Sequence, residues 1–593
     1  MNRFLPRVNS AGYYVLLACV AIFLLGPLGG ITAAYMNFSL GFFVGGQVLA
    51  GILGSAVTFG YGPEGKHGAN YMQTMAASVA GMAGMAVLIQ AMVWLGLPEP
   101  PAWHLILYFL CIGMFGCGVG MLYTPILVDR MQLIYPSGYA VANILRALTD
   151  IRLLRRSIRQ LVSGTVGGFC IGLLPTFLSP RFSALYDSSG ISAANLGAGM
   201  IVGCRIAVSG AVMGLVGVWI TPFLVSIGWL KDGDPFRKIG FIIALGMIMG
   251  AAIVDLTLIF REAIRTFFAT EKPGAVTTET WAKRDMRRLI AWVVFWGIAV
   301  VVCATQLMHT PLSFTLIAIA LVFLFVLVNG ISQGISDQNP ISSAFVITIF
   351  VLAACGLTDA GTGLMAASIL LICTSVACDM QQDRSTGWRL GTNRTIQFRY
   401  QVIGIVMGAC MSVGLARLFM RAYPILRQNQ FGHHVAGAER WGSAMTYKFV
   451  GALDGLTHPS KHVMTALTVG VGIGLVTEIA RKILKRSSAY STWVKSTSSG
   501  YITDLLIDCA ILPSPYASSF GGFVEFPVTL WYAGGGVVSS VWQTLLERGK
   551  STASSDDLPE DMSVTSLVGG GFIAGDSLAA LGLGIYGLVQ TVL

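Results

Sequence analysis

Charge is what this 593-residue chain has least of: Asp, Glu, Lys and Arg together make up 11% of it, against about 25% in a soluble domain. With 54% apolar residues and a mean hydropathy of +0.72, that scarcity excludes a soluble globular protein. The 11 cysteines contain no C-x-x-C pair, and nearly all, including Cys111, Cys117, Cys204 and Cys355, lie inside apolar runs. They read as small buried hydrophobes, not as a disulfide framework or a metal cage. No GxxxxGK[ST] loop occurs, which excludes a pump carrying its own ATP motor. A membrane-embedded enzyme would need a convergent nucleophile and base, and the sequence presents none, so no catalytic residue, cofactor or metal site is assigned.

What the chain does have is long uncharged runs, many of about 18 residues or more, each enough to cross a ~30 Å hydrocarbon core. The first, Gly12 to Tyr35, is too long for a signal peptide and has no small-residue cleavage pattern, so it reads as the first span. Apolar segments follow the order 12–34, 38–60, 72–97, 103–128, 161–179, 196–230 and 239–260, then 289–307, 313–331, 341–377 with a polar break at Thr358 to Gly363, 398–420, 462–480, 500–546 and 564–592. The run 196–230 reads as two short crossings broken near Gly210 or Gly214. The reading is an all-α polytopic membrane protein of about 16 segments (roughly 14–17), some of them broken or re-entrant. The net charge of +10 sits mostly in short loops such as 129–160, the positive-inside pattern, and not in a nucleic-acid-binding face. It places the N-terminus on the cytoplasmic side of the plasma (inner) membrane.

The basic linker 261–288 divides an N-terminal half, 1–260, from a C-terminal half, 289–593, which carries a polar insert at 421–461. An internal repeat relates the halves: IVGCRIAVSGAVMG (201–214) lies over FVEFPVTLWYAGGG (523–536), and YPSGYAVANILRAL over RWGSAMTYKFVGAL. A homodimer is one of the oligomeric states left open.

Polar groups inside such runs are costly and mark candidate sites. Arg205 lies deep in an uncharged run, either gripping a substrate carboxylate or forming an ion pair with an acid such as Glu525. Asp504 and Asp508 share a helix face and fit proton coupling, or an interfacial position. Glu525 and Asp576 are lone acids in Gly-rich segments, suited to proton or substrate contact or to capping. Glu64, Asn70 and Gln73 open a span whose free amides suit an anionic group, or serve as ordinary caps. Asn339, before Pro340, marks a break that either bares carbonyls to a solute or begins a helix. His433 and His434 can ligate metal or sense pH, or lie in a solvated loop. The densest polar stretch, Cys378 to Arg399, carries two aspartates and four arginines between apolar runs.

Five segments in order resemble the oligopeptide transporter family, which includes the yellow-stripe-like metal-chelate carriers: EGKHGANYMQTMAAS (64–78), PILVDRMQLIYPSGYAVANIL (125–145), QNPISSAFVITI (338–349), DMQQDRSTGWRLGTNR (379–394) and GFIAGDSL (571–578). Two positions depart from the family pattern: Ser385, beside Arg384, stands where Lys is usual, and Asn393 where Pro is usual. The resemblance implies proton-driven secondary uptake of small peptides, modified peptides or metal chelates. It makes Asp379, Gln382 and Asp383 the best-supported polar set, in transport or in loop architecture. The expectation is a proton-coupled symporter working by alternating access in the lipid bilayer, with a peptide or metal-chelate substrate. A passive channel is the rival that a conductance without saturable, pH-driven uptake would identify.

Overall fold

The computed structural model describes residues 5–41, 46–133, 135–148, 150–177, 189, 191–268, 281–336, 339, 341–431, 435, 441–457, 461–549 and 563–592. The middle of the basic linker, Pro340, His433 and His434 lie outside the described residues. Among the described residues every regular element is helical, as the lipid environment requires of a chain that must close its own backbone hydrogen bonds. Eleven helices there are long and apolar enough to cross a membrane, and Ala193–Val202 and Ala344–Ala354 are shorter apolar helices. The chain is an all-α polytopic membrane protein.

Two compact units form, each drawing on both sides of the linker: Met1–Ala34 with Gly45–Ile158 and Leu256–Leu418, and Tyr35–Val44 with Arg159–Asp255 and Phe419–Leu593. In the first unit the helix Ala360–Leu390 is the central element, packed by Gly65–Ala83, Ala102–Thr124, Pro136–Ala147, Leu312–Ser336 and Ile341–Ala354. Its ends are set by local chemistry. Gly356 turns the chain at φ 95°, and the Asp359 carboxylate then accepts the Thr362 N–H at 2.7 Å as N-cap. That same bond holds the Asp359 carboxyl below its ordinary range. Gly391 closes the other end in the left-handed conformation, φ 71°, where a side chain would be strained. The polar stretch that begins at Cys378 is thus mostly helix and not loop, and residues 381–387 are buried.

The break in the run 196–230 falls at Gly203, not at Gly210 or Gly214. Gly203 adopts φ 77°, ψ 172° between Ala193–Val202 and Cys204–Ser226, a region only glycine visits cheaply. Gly210 and Gly214 stay helical, and their missing side chains make room for Phe520 and Phe526. The repeat is visible at the same register: Gly203 precedes the helix Cys204–Ser226 as Glu525 precedes Phe526–Gly549. The second overlay pairs Tyr135 with Arg440 and Gly138 with Ser443, so the positive-φ residues that precede Pro136–Ala147 and Ala444–Thr457, Tyr135 (φ 46°) and Ser443 (φ 44°), stand three positions apart in it.

A Cβ on Gly203 would meet nothing within 4 Å, so Gly203→Ala isolates the conformational cost. We expect a loss of roughly 1–3 kcal/mol, read as a lower melting temperature of the purified protein. An unchanged melting temperature would place the break elsewhere.

Candidate functional site

The second half of the central helix puts Asp379, Gln381, Gln382, Asp383, Arg384, Ser385 and Thr386 on consecutive turns, and all but Asp379 are buried. Several neighbours meet them through a polar group or a glycine. Gln73 Nε2 donates to Asp383 Oδ1 at 2.9 Å. Gln397 Nε2 donates both to the Asp383 carbonyl at 2.7 Å and to Thr74 Oγ1 at 3.1 Å. Gln333 Nε2 donates to Gln382 Oε1 at 2.7 Å, and Tyr135 O–H reaches Gln381 Oε1 at 3.5 Å. The Thr386 hydroxyl donates to the Gly138 carbonyl at 3.0 Å. Asn339 ties two helices here: its oxygen accepts from Asn329 at 3.1 Å, and its amide reaches the Thr374 carbonyl at 3.5 Å.

This network leaves buried polar atoms without a protein partner: both amide atoms of Asn70 and of Gln401, Oε1 of Gln73, Gln333 and Gln397, Nε2 of Gln381, Oδ2 of Asp383 and Oγ of Ser385. Each such group costs about 1–3 kcal/mol unless something meets it. Asp379 and Asp383 lie one helical turn apart, and among the described residues neither carboxylate has an ion-pair partner. The nearest signature arginines point elsewhere. Arg384 reaches toward Met121 Sδ at 3.9 Å. Arg394 grips Asp129 with two bonds, one of 2.8 Å from Nη1 to Oδ2 and the other from Nη2 to Oδ1. Asn393, the departure from the family pattern, caps the next helix: its side-chain oxygen accepts the N–H of Thr395 at 3.0 Å and of Ile396 at 3.2 Å.

The second unit handles charge in the opposite way. Arg205 donates to Asp504 at 2.5 Å and also to Asp508, so its carboxylate partners are these two acids and not Glu525. Lys485 Nζ bridges the same pair at 2.5 and 2.9 Å, and Tyr490 O–H donates to Asp504 at 2.8 Å. Arg481 adds a contact of 3.6 Å to Asp508 and another of 3.6 Å to Glu478. Lys482 joins Asp255 at 2.5 Å and Glu478 at 3.4 Å. Four cations face four acids, and the Asp504–Asp508 pair is screened by arginine and lysine. Asp576, fully buried, accepts from Ser192 O–H at 2.8 Å, Ala194 N–H at 3.0 Å and Tyr35 O–H at 3.2 Å. It therefore seats the N-terminus of Ala193–Val202. Glu525 is half-buried ahead of Phe526–Gly549, its carbonyl accepting the Val528 N–H at 3.1 Å.

Segments 64–78, 125–145 and 379–394 meet in the first unit through the Gln73–Asp383, Thr386–Gly138 and Arg394–Asp129 contacts. The family described as OPT oligopeptide transporter protein matches residues 8–221 and 265–586. The chain belongs to the OPT oligopeptide transporter family. Among its relatives, "Probable metal-nicotianamine transporter YSL12" of Oryza sativa subsp. japonica is 26% identical over 35% of this chain and 29% of its own length. YSL8 of the same plant, under the same description, is 24% identical over 58% of each chain. YSL13, also so described, is 24% identical over 60% of this chain and 56% of its own. The chain thus spans at most 58% of the length of these relatives.

Of the sequence candidates, the OPT fold brings Asn70, Gln73, Asp379, Gln382, Asp383 and Asn339 into one neighbourhood in the first unit. Glu64 is not among the buried ones. It is exposed, 3.9 Å from His67. Arg205, Asp504 and Asp508 form a cluster in the second unit, where Asp576 has partners of its own. Sequence reasoning missed Gln397 and Gln401, whose spacing of four puts both amides on one face. It also missed Lys448, whose ammonium lies 3.8 Å from the Phe523 ring centre, and Lys485.

Two outcomes test these assignments. A Cβ on Gly387 would stand 2.8 Å from Gln397 Oε1, so Gly387→Ala displaces the amide and costs roughly 1–3 kcal/mol of stability through its lost bonds. Gly414→Ala on the same helix as Gln397 meets nothing within 4 Å and is expected to be neutral or stabilising; equal melting temperatures for the two variants would count against the packed amide. In the second unit, a double-mutant cycle of Arg205→Ala and Asp508→Asn should return a coupling energy of about 0.5–3 kcal/mol in unfolding. Strict additivity would mean the ion pair is not formed.

Proposed function

We propose that the chain is a secondary active transporter that carries a small polar solute across a membrane, coupled to the proton gradient. The observation behind this reading is the buried polar half of Ala360–Leu390, where the Asp383 carboxylate and several carboxamides around it keep unmet hydrogen-bonding capacity inside an apolar bundle. A purely structural core of that kind would be a net loss, since buried polar groups without partners cost more than apolar ones of the same shape. A site that exchanges water, ion and solute recovers the loss.

The solute class that best fits the relatives' printed names is a metal chelate. Small peptides or peptide-like compounds are the second reading, favoured by the family's description. Proton uptake is assigned to Asp379, which lies one turn from a second carboxylate and has no cationic partner among the described residues. The Asp504–Asp508 pair is a weaker candidate, because Arg205 and Lys485 already neutralise it. The same reading places the protein in the plasma membrane with alternating access to the two sides, and gives it no enzymatic step.

Uptake into proteoliposomes from a mixed pool of metal chelates and peptides, with and without an inward acid gradient, tests the proposal. The expected outcome is saturable uptake of one class that accumulates only with the gradient. Asp379→Asn should still exchange solute but lose accumulation. Uptake indifferent to the gradient, or an unsaturable conductance, would point to a channel.

A further inference from the structure

Asp383, Gln73 and Gln397 present three buried oxygens whose orientation the protein itself dictates. Gln73 commits its amide nitrogen to Asp383 Oδ1, so its oxygen is the end left over. Gln397 commits its amide nitrogen twice, to Thr74 and to the Asp383 carbonyl. Flipping this amide would set its carbonyl against a main-chain carbonyl, and flipping Gln73 would set carbonyl against carboxylate, so the assignments follow from the network. The leftover atoms, Gln73 Oε1, Gln397 Oε1 and Asp383 Oδ2, have no protein partner and no solvent. They come from three different helices, Gly65–Ala83, Arg394–Ala422 and Ala360–Leu390. Each is an acceptor, and the set contains no donor.

The polar half of the central helix holds two carboxylates, Asp379 and Asp383, and one guanidinium, Arg384, which turns toward Met121 and makes no ion pair with either; one negative charge is left over where that is expensive, and the occupant that removes the expense can be deduced. A proton on Asp383 turns one oxygen into a donor and satisfies at most one of the other two. A divalent cation exceeds the one negative charge left over and leaves a net positive charge in low dielectric. A monovalent metal ion neutralises the carboxylate and is a hard cation, matched to carboxylate and amide oxygens. Asn70 and Gln401, one turn from Gln73 and Gln397, have both amide atoms unengaged and are free to turn oxygens toward the same ion.

We propose that Asp383, Gln73 and Gln397 form a binding site for an alkali metal ion, with Na⁺ as the preferred occupant and Asn70 and Gln401 completing its shell. Asp379 lacks such flanking oxygens and is left to the proton. The use of the ion in coupling rests on the transporter reading; its binding does not, and is measured separately.

The experiment uses the purified full chain without any solute. Melting temperatures are recorded in NaCl, KCl and choline chloride at equal ionic strength and at two pH values, and ²²Na⁺ binding is measured on the same preparations. The expected result is a saturable, Na⁺-specific rise over choline with matching ²²Na⁺ binding. The rise should vanish in Asp383→Asn, and the apparent affinity should weaken about tenfold or more in Gln397→Met. The choline values report whether each variant is folded, and ²²Na⁺ binding by the unaltered chain decides the matter even if a variant is not. A protein that responds to pH but not to alkali ions would show a proton in the site and overturn the proposal. So would a Na⁺ effect that survives intact in Asp383→Asn. Absent uptake with Na⁺ binding intact would fail the transporter reading and leave this one standing.

Discussion

A helix in lipid closes its own backbone hydrogen bonds, so whatever remains unmet in a polytopic bundle belongs to side chains. Here much of it belongs to the segment 379–386, and the packing of the first unit is arranged around it. Glycines stand where neighbours must come close: Gly81 against Asp379, Gly138 against the Gln382 carbonyl and Thr386, Gly330 against Gln381, Gly387 against Gln397. A methyl group at any of the four would push on a polar group already committed to a bond or buried without one. The glycine richness of the chain therefore serves close helix packing and, at these positions, gives the amides and carboxylates the room they occupy.

The two units meet the cost of intramembrane charge in opposite ways. In the second, Asp504 and Asp508 share Arg205 and Lys485, while Asp255 and Glu478 share Lys482. Every one of those charges has an opposite charge within 4 Å, and removing one cation leaves Asp504, Asp508 and Glu478 with another. Such a network is strong evidence for a fixed geometry and weak evidence for a ligand site, since little capacity is left over. In the first unit Asp379 and Asp383 have no such partners among the described residues, and the capacity left over around Asp383 is large. The same residue type thus carries a different meaning in each place, decided by its neighbours.

Much of this was legible in the sequence, and the limits have physical causes. The scarcity of charge and the runs of apolar residues sufficed for the all-α polytopic class, and Thr358 to Gly363 marked a true break. The polar stretch after Ala377 read as an interruption because hydropathy falls there, yet the helix runs to Leu390: helix formation depends on backbone geometry and packing, which tolerate polar side chains that have somewhere to go. Gly203 was hidden among many glycines, since composition does not tell which one takes a positive φ. Arg205 stood out as a cation in an apolar run, but its partners lie 299 and 303 residues away, beyond the reach of local pattern. Gln397 and Gln401 were missed because a carboxamide carries no charge to flag it.

The central helix is capped by Asp359 and ended by Gly391, and it is enclosed along most of its length, 89% of its apolar window being buried. Its backbone is therefore a poor candidate for motion, which for lid or gating elements is drawn from loosely packed regions. If occupancy of the polar segment changes, the response falls first on groups that hold no bond. Asn70 and Gln401 are such groups: fully buried, unpartnered, and each able to exchange a donor for an acceptor by rotating an amide about one bond. Gln73 and Gln397 cannot do so without breaking the bonds that fix them. A rigid helix bearing the acids, two pinned amides and two rotating ones can accommodate either a charged or a neutral occupant while the helices stay where packing holds them.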